Sequence, residues 1–172
     1  NSINAAIITG AGGTFCSGMD LKAFLTGEMP SIKGKGFAGF IESPPKKPLI
    51  AAVEGYALAG GMEVAIASDL VVSNNKAQFG IPEVKRSLVA AAGGLLSLPS
   101  IVGKRMAMEL ALTGDFIDAQ RAYEMGFVNR VTDGAAIDGA LELAAKVAAN
   151  GPLALIATKR IINERPDWSS EE

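Results

Sequence analysis

Short apolar runs, separated by glycine-rich and polar stretches, dominate the first half of the chain. The run Leu49–Val53 contains only apolar residues and is typical of a strand that is buried on both faces. Similar patterns predict strands at 5–9 and 69–73, and a very short strand at 77–79. Strands of this kind are typical of a parallel sheet that is covered on both sides, as in α/β proteins.

Helical spacing dominates the second half of the chain. The segments with helical spacing or helix-capping signals are 104–112, 118–126, 135–149 and 152–163. The most strongly amphipathic of them, 135–149, is predicted to place Leu141, Ala145 and Ala148 on one stripe. We expect this helix to contribute to the core and to a subunit interface.

Shorter helices are predicted between the strands of the first half. They comprise 37–42, a segment over 62–67, and a small-residue helix from Ser87 that Pro99 ends. The resulting order predicts an α/β fold in which residues 1–100 form stacked β/β/α units. Residues 101–172 are predicted to form a helical C-terminal layer.

Composition restricts the class of protein. Of 172 residues, 49% are hydrophobic and 20% are charged, which is typical of a folded, core-rich protein. The formal charge of −2 and the lack of a basic run argue against nucleic acid as a partner. Cys16 is the single cysteine, so an intrachain disulfide is impossible. Because no uninterrupted apolar run reaches membrane-spanning length, we predict no membrane association and a cytoplasmic or organelle-matrix location.

Histidine is absent from the sequence, and this restricts the chemistry. A Ser-His-Asp or Cys-His relay cannot be built within this chain, and neither can a His-ligated metal site. If the protein is an enzyme, its proton transfers fall mainly to Asp, Glu, Lys or Tyr.

The ends of the sequence suggest a longer protein. The chain opens at Asn1 without Met and almost at once enters the predicted strand 5–9, which needs partners on both sides. We therefore expect that N-terminal strands are missing. The last helical segment is expected to be cut soon after Trp168.

The stretch 49–69 contains the most informative pattern. Gly60 and Gly61 precede a helix, where backbone N–H groups lack intrahelical acceptors and negative charge is favoured. Glu63 lies within one helical turn of these donors. An oxyanion site beside an acid/base group suits acyl chemistry. The alternative is a tight turn followed by a glutamate that only caps the helix.

A nucleotide-binding loop is the main rival interpretation, because a glycine-rich loop at 10–18 follows a strand. The dinucleotide pattern G-x-G-x-x-G would need glycine at position 15, which is Phe15. A P-loop would need Lys after Gly18, which is followed by Met19. Both patterns fail, which argues against a Rossmann-type oxidoreductase.

The order of motifs resembles the crotonase (enoyl-CoA hydratase/isomerase) family. The matching segments are 7–21, 51–64, 68–70, 77–83, 112–114, 122–128 and 152–154, with Lys159 completing the series. The resemblance covers nearly the whole chain. It implies a crotonase-type spiral of β/β/α units, an acyl-CoA thioester substrate, and assembly as a homotrimer or hexamer.

The resemblance also implies roles for individual residues. The backbone N–H groups of Ser17 and Gly60 correspond to the oxyanion hole, and Glu63 and Glu83 correspond to the two catalytic glutamates. Positions that resemble substrate- or coenzyme A-binding positions are Cys16, Gly18, Asp20, Leu21, Lys22, Tyr56, Gly61 and Lys159. The alternatives are solvated lysines at 22 and 159, and a surface Glu83 that pairs with Lys85 or Arg86.

The activity implied is that of an enoyl-CoA hydratase, a lyase that adds water across a trans-2-enoyl thioester through a stabilised enolate. The alternatives are an isomerase or a related crotonase reaction, and a non-catalytic family member that binds acyl-CoA. No metal or separate cofactor is expected, because coenzyme A is part of the substrate. The segment 83–94 resembles a branch of the family in which substrates vary, so the acyl group stays open.

Overall fold

Two β-sheets form the centre of the protein in a computed structural model that describes residues 3–164. The main sheet is parallel, in the order β1 (Ala6–Thr9), β4 (Leu49–Val53), β6 (Leu70–Asn74) and β9 (Arg130–Thr132). The second sheet comprises β5 (Tyr56–Leu58), β7 (Gln78–Gly80) and the antiparallel β8 (Ile117–Asp118). A short hairpin pairs β2 (Ser31–Ile32) with β3 (Gly36–Phe37). The expected end near Trp168 lies outside the described residues.

Helices surround the two sheets. They are α1 (Leu21–Leu25), α2 (Gly60–Ile66), a 3₁₀ helix (Pro82–Arg86), α3 (Gly94–Val102), α4 (Lys104–Thr113), α5 (Ala119–Glu124), α6 (Ala136–Ala148) and α7 (Pro152–Glu164). Taken singly, no helix within residues 3–164 has the length and apolarity needed to cross a membrane. Helices α6 and α7 meet the length and composition criteria only as a pair, across a bend of 107°.

The chain passes between the two sheets in repeating β/β/α units. Strand β4 lies in the main sheet, β5 lies in the second sheet, and α2 returns the chain to β6 beside β4. Strands β6 and β7 repeat this step before the chain enters the 3₁₀ helix. In the first unit a single parallel bridge from Cys16 to Ala57 takes the place of the second strand. The predicted stacked β/β/α units are confirmed.

Strand β4 is buried on both faces, as its sequence predicts. Ile50 and Ala52 belong to one apolar cluster, formed with α6. Ala51 and Val53 point to the opposite face and join the larger core. Alternate residues of a strand point to opposite faces, so a strand between two cores must be apolar throughout.

The predicted helix at 37–42 is wrong, because this segment forms turns. Gly36, Ala38 and Gly39 have φ values of +74°, +53° and +75°. These values lie in the left-handed region, which is incompatible with a right-handed helix.

The helix predicted to begin at Ser87 and end at Pro99 is also wrong. Ser87 and Gly93 adopt left-handed conformations, and α3 begins only at Gly94. Pro99 lies inside α3 and does not end it. Proline removes one helical hydrogen bond, and packing of α3 against α4 supports the helix beyond that position.

Helix α6 packs on the main sheet through a different stripe from the predicted one. Its buried residues are Ala136, Gly139 and Ala140, whereas Leu141 is 55% exposed. A Cβ atom at Gly139 would lie 2.6 Å from Cγ2 of Thr132. The helix therefore approaches the sheet through its smallest side chains, which hydrophobicity alone did not identify.

Residues 101–172 contribute more than a helical layer. Strand β9 extends the main sheet and β8 extends the second sheet. Helix α6 is also tied to the first half of the chain, because the Glu54 carboxylate accepts the N–H of Ala136 and the side-chain amide of Asn74. The division into regions at residue 100 stays a prediction.

Lys159 anchors α7 to the start of β4. Its Nζ donates to the carbonyl oxygens of Pro45 at 2.7 Å and Lys47 at 3.1 Å, and to Oδ2 of Asp69 at 2.6 Å. The same Asp69 oxygen accepts the N–H of Leu49 at 2.7 Å. The side chains of Lys159 and Asp69 are only 11% and 21% exposed, so their ion pair is shielded from solvent.

We expect Lys159→Met to lower the free energy of unfolding by about 2 kcal/mol, between the values typical of exposed and buried pairs. Methionine keeps the aliphatic stem but leaves the Asp69 carboxylate without its cation. Urea denaturation measures the change, with Lys146→Met on the exposed surface of α6 as the control. Unchanged stability together with weaker acyl-CoA binding would instead favour the predicted role of Lys159 at coenzyme A.

Candidate active site

The first part of the site is formed where the glycine-rich loop meets the segment after β4. The N–H of Cys16 donates to the carbonyl of Tyr56 at 2.9 Å, and the N–H of Leu58 donates to the carbonyl of Cys16 at 3.0 Å. These bonds hold Ser17 beside the start of α2, as the sequence predicts. Two stretches about forty residues apart in the sequence are thereby joined at one point.

Glycine is required on both sides of this junction. A Cβ atom on Gly18 would lie 3.0 Å from Cβ of Ala59 and 3.5 Å from the backbone nitrogen of Gly60. A Cβ atom on Gly61 would lie 1.9 Å from the carbonyl oxygen of Cys16, well inside van der Waals contact. The close approach of the two backbones explains why both positions lack side chains.

Backbone N–H groups at this junction lack acceptors in the described part of the chain. Within residues 3–164, no hydrogen bond uses the N–H of Ser17 or of Gly60, the first residue of α2. Ala59 between them has a φ of +52° and donates to the carbonyl of Gly80 at 2.9 Å. Ser17 is exposed and Gly60 is buried beneath Phe37. The two N–H groups can therefore serve an acceptor atom supplied by a ligand.

Glu63 is a buried carboxylate fixed by two backbone donors. It is 4% exposed, and its Oε1 accepts the N–H of Ala92 at 2.9 Å and of Gly94 at 3.0 Å. A Cβ atom on Gly94 would lie 2.7 Å from Cγ of Glu63, so glycine is needed here as well. Burial raises the pKa of Glu63, and the hydrogen bonds from Gly94 and Ala92 oppose this rise.

Glu83 is the second carboxylate of the site. Its Oε2 is buried and has no hydrogen-bond partner among residues 3–164. Burial raises the pKa of Glu83, and the nearby charge of Glu63 raises it further. Lys85 pairs with Asp115 at 2.6 Å, and no ion pair within the described chain joins Glu83 to Lys85 or Arg86. The alternative of a surface Glu83 paired with its neighbours is not what the structure contains.

A cleft of about 360 Å³ opens beside the unpaired Ser17 donor. It is lined by Ser17, Leu58, Ala59, Pro82, Lys85, Arg86 and Phe116. Of these lining residues, only Ser17 is a predicted site residue; Leu58, Ala59, Pro82, Lys85, Arg86 and Phe116 are not. Pro82 and Arg86 lie within three positions of the predicted Glu83 and could have been found by their nearness to it in the sequence. Phe116 directly precedes β8, and no motif in the sequence marks it as a site residue.

The remaining predicted binding residues lie on the surface or in the loop. Asp20 caps α1, with Oδ1 accepting the N–H of Lys22 at 2.9 Å and of Ala23 at 3.1 Å. Lys22 is exposed, and Leu21 and Tyr56 are 46% and 48% exposed. Their roles in binding stay predictions. No group of three or more Asp, Glu or Cys side chains in the described part of the chain is arranged to hold a metal ion.

Lys159 has no hydrogen bond to another predicted site residue within the described chain. Its partners are the carbonyl groups of Pro45 and Lys47, just before β4, and the Asp69 carboxylate, just before β6. The structure therefore gathers Ser17, Gly60 and Glu63 and sets Lys159 apart from them.

Comparison with known proteins identifies relatives over nearly the whole chain. The family model described as enoyl-CoA hydratase/isomerase matches residues 1–171. A carnitinyl-CoA dehydratase from Proteus mirabilis is 41% identical over 176 residues, covering 99% of this chain and 67% of that protein. A mevalonyl-coenzyme A hydratase from Beauveria bassiana is 41% identical over 172 residues, covering 92% of this chain and 61% of that protein.

The solved structures agree with these matches. A crystal structure of an enoyl-CoA hydratase from Mycobacterium tuberculosis superimposes with a TM-score of 0.96 at 58% identity. The match covers 99% of this chain and 68% of that one. The chain thus spans about two thirds of the length of these similar proteins.

We expect Glu83→Gln to raise the free energy of unfolding at neutral and higher pH, by on the order of 1 kcal/mol. The raised pKa means that folded Glu83 binds a proton more tightly than the unfolded chain does. Its contribution to stability is complete below the ordinary pKa of 4.5 and is lost as the pH rises through the folded-state value.

Urea denaturation at several pH values between about 4 and 8 measures this effect. The gain from Glu83→Gln should vanish at the acidic end, where both side chains are neutral. Glu142→Gln on the exposed face of α6 is the control. An equal gain in the free energy of unfolding at every pH would contradict a raised pKa of Glu83 in the folded protein.

Proposed function

This chain belongs to the enoyl-CoA hydratase/isomerase family, and we propose that it adds water across the double bond of a trans-2-enoyl-CoA thioester. The observation that carries the proposal is the pairing of two acceptor-free N–H groups, of Ser17 and Gly60, with two carboxyl groups of raised pKa. Both parts are needed, because hydration builds negative charge on the thioester oxygen while protons move at the neighbouring carbons.

The two N–H groups stabilise the charge that develops. In the proposed complex the thioester oxygen accepts hydrogen bonds from Ser17 and Gly60. Attack of water at C3 then moves an electron pair through C2 onto that oxygen and gives an enolate. Donors that are already fixed by the surrounding backbone stabilise this enolate without having to reorient, and each is typically worth about 3–4 kcal/mol of barrier.

Glu63 and Glu83 divide the proton transfers. Glu63 receives two backbone hydrogen bonds, which favour its ionised form and suit it as the base that takes a proton from water. Glu83 has a buried oxygen without a donor, and the charge of Glu63 disfavours its ionisation. Glu83 is therefore the acid that protonates C2.

The atoms balance over one turnover. Water gives its hydroxyl to C3 and a proton to Glu63, and Glu83 gives a proton to C2. A proton then passes from Glu63 to Glu83 through solvent, which restores both groups. The proposed reaction uses only groups of the chain, and coenzyme A enters as part of the substrate.

The names of the relatives support the reaction class. One is called a carnitinyl-CoA dehydratase and another a mevalonyl-coenzyme A hydratase, so related chains are named for removing or adding water on CoA thioesters. Movement of the double bond is the second candidate, because the matching family includes isomerases. The presence of both glutamates favours hydration over isomerisation.

We also infer assembly as a homotrimer or hexamer. Large apolar side chains remain exposed on the outer helices, at Leu141 on α6 and at Leu153, Ile161 and Ile162 on α7. Large apolar side chains left exposed on a folded domain are typical of a surface that another subunit covers. The same proposal includes binding of the substrate and its coenzyme A part by Cys16, Gly18, Asp20, Leu21, Lys22, Tyr56, Gly61 and Lys159.

Glu63→Gln and Glu83→Gln should each lower kcat for hydration of crotonyl-CoA by about 10²–10⁴-fold, because glutamine can neither accept nor deliver the proton. Loss of the conjugated-thioester absorbance measures turnover, and calorimetry with butyryl-CoA measures binding. Acyl-CoA binding should persist in both variants. Unchanged turnover after either substitution would contradict the catalytic role proposed for that residue.

Gly61→Ala should lower kcat by about 10²–10³-fold, the loss typical of one oxyanion donor. The new Cβ atom must displace the Cys16 carbonyl, which lies 1.9 Å from its position, and with it the adjoining Ser17 N–H. Gly134→Ala is the matched control, because nothing lies within 4 Å of its Cβ position. Circular dichroism verifies that both variants are folded, and full activity of a folded Gly61→Ala protein would contradict the proposed donor geometry.

A further inference from the structure

Arg86 is an unpaired cation in the wall of the cleft. It is exposed, and its guanidinium has no hydrogen bond or ion pair with any residue in the range 3–164. Its neighbour Lys85 also lines the cleft but is held by Asp115 at 2.6 Å. The cleft therefore contains one uncompensated positive charge.

The position of Arg86 relates it to the reacting groups. Arg86 ends the 3₁₀ helix Pro82–Arg86, in which residues three apart lie on the same side. Pro82, Lys85 and Arg86 of this helix line the cleft, whereas Glu83, three positions before Arg86, has its Oε2 buried. The lining of the same cleft includes Ser17, whose N–H is a proposed oxyanion donor, and Ala59, which directly precedes the other donor, Gly60.

The rest of the cleft suits a short acyl chain. Leu58, Pro82 and Phe116 supply apolar surface in the same cleft as Ser17 and Arg86. The volume of about 360 Å³ lies near the lower end of the usual range for small-molecule pockets. A thioester whose oxygen is held at Ser17 would place its acyl group against these residues.

We propose that Arg86 is a specificity-determining residue that binds a carboxylate at the far end of the substrate's acyl group. This inference rests on the proposed function, since it assumes an enoyl thioester in the cleft. A guanidinium presents a planar pair of donors that matches the two oxygens of a carboxylate. The same charge repels an acyl group with a quaternary ammonium, such as a carnitinyl group, so discrimination works in both directions.

The phosphates of coenzyme A are a second anion that Arg86 could bind. A pair of substrates distinguishes binding of a phosphate from binding of the acyl carboxylate. Glutaconyl-CoA carries a terminal carboxylate, and trans-2-hexenoyl-CoA is a neutral enoyl thioester of similar length. Both carry the same phosphates. Contact with the acyl carboxylate changes the ratio of their kcat/KM values, whereas contact with a phosphate changes both values equally.

The test compares the full chain with Arg86→Gln, Arg86→Lys and Arg105→Gln. Arg86→Gln should lower kcat/KM for glutaconyl-CoA by about tenfold and change that for hexenoyl-CoA by less than about twofold. Arg86→Lys should retain part of the preference, because it keeps the charge but loses the planar pair of donors. Arg105→Gln removes the same charge from the exposed surface of α4 and should change neither value. Added salt should weaken the preference of the unmodified protein.

Two results would overturn the assignment of Arg86. An equal loss with both substrates would place the contact on coenzyme A, and an unchanged ratio would deny Arg86 a role in specificity. Binding of the saturated analogues glutaryl-CoA and hexanoyl-CoA gives a readout that is independent of turnover. A preference for glutaryl-CoA that depends on Arg86, without hydration of either enoyl thioester, would refute the proposed hydratase function and keep the assignment of Arg86.

Discussion

The contact between the backbone of Cys16 and the start of α2 is the constraint on which the rest of the site depends. A Cβ atom at Gly61 would lie 1.9 Å from the Cys16 carbonyl, so the two chains can meet only where one of them has no side chain. This contact brings Ser17 to Gly60, and the N–H groups of both have no acceptor among residues 3–164. Ala59 completes the junction with a positive φ of +52°, which alanine rarely adopts.

The two carboxyl groups of the site lower the stability of the folded protein. Glu63 and Glu83 are withdrawn from solvent, and one oxygen of Glu83 has no donor in the described chain. Burial of such groups raises their pKa and destabilises the folded state at neutral pH. The surrounding β/β/α units, whose central strand is buried on both faces, hold these groups in place. Function and stability are opposed at these positions, as is common at active sites.

Local patterns in the sequence were sufficient for the architecture and for part of the site. The apolar run of β4 predicted its bounds, and the crotonase-type fold that the motifs implied is confirmed by the match to solved structures. Glycines at 18, 60 and 61 marked the junction because only glycine fits there. The helix predicted at 37–42 failed because Ala38 adopts a left-handed conformation, which alanine does not signal in a sequence.

Contacts made by backbone atoms or by distant residues could not be predicted. The donors that fix Glu63 are backbone N–H groups of Ala92 and Gly94, and any residue but proline carries such a group. The three acceptors of Lys159 lie ninety or more positions before it in the sequence, and these hydrogen bonds depend on how α7 meets β4. The partner of Lys85 is likewise distant, because Asp115 lies thirty positions along the chain.

The central claim is that this site delivers water to one carbon of an enoyl thioester and a proton to the next. The most direct measurement is mass spectrometry of the product formed when the full chain meets crotonyl-CoA in deuterium oxide. Hydration at this site should give 3-hydroxybutyryl-CoA with a single deuterium at C2. A product with a shifted double bond, or bound crotonyl-CoA that remains unchanged, would contradict it.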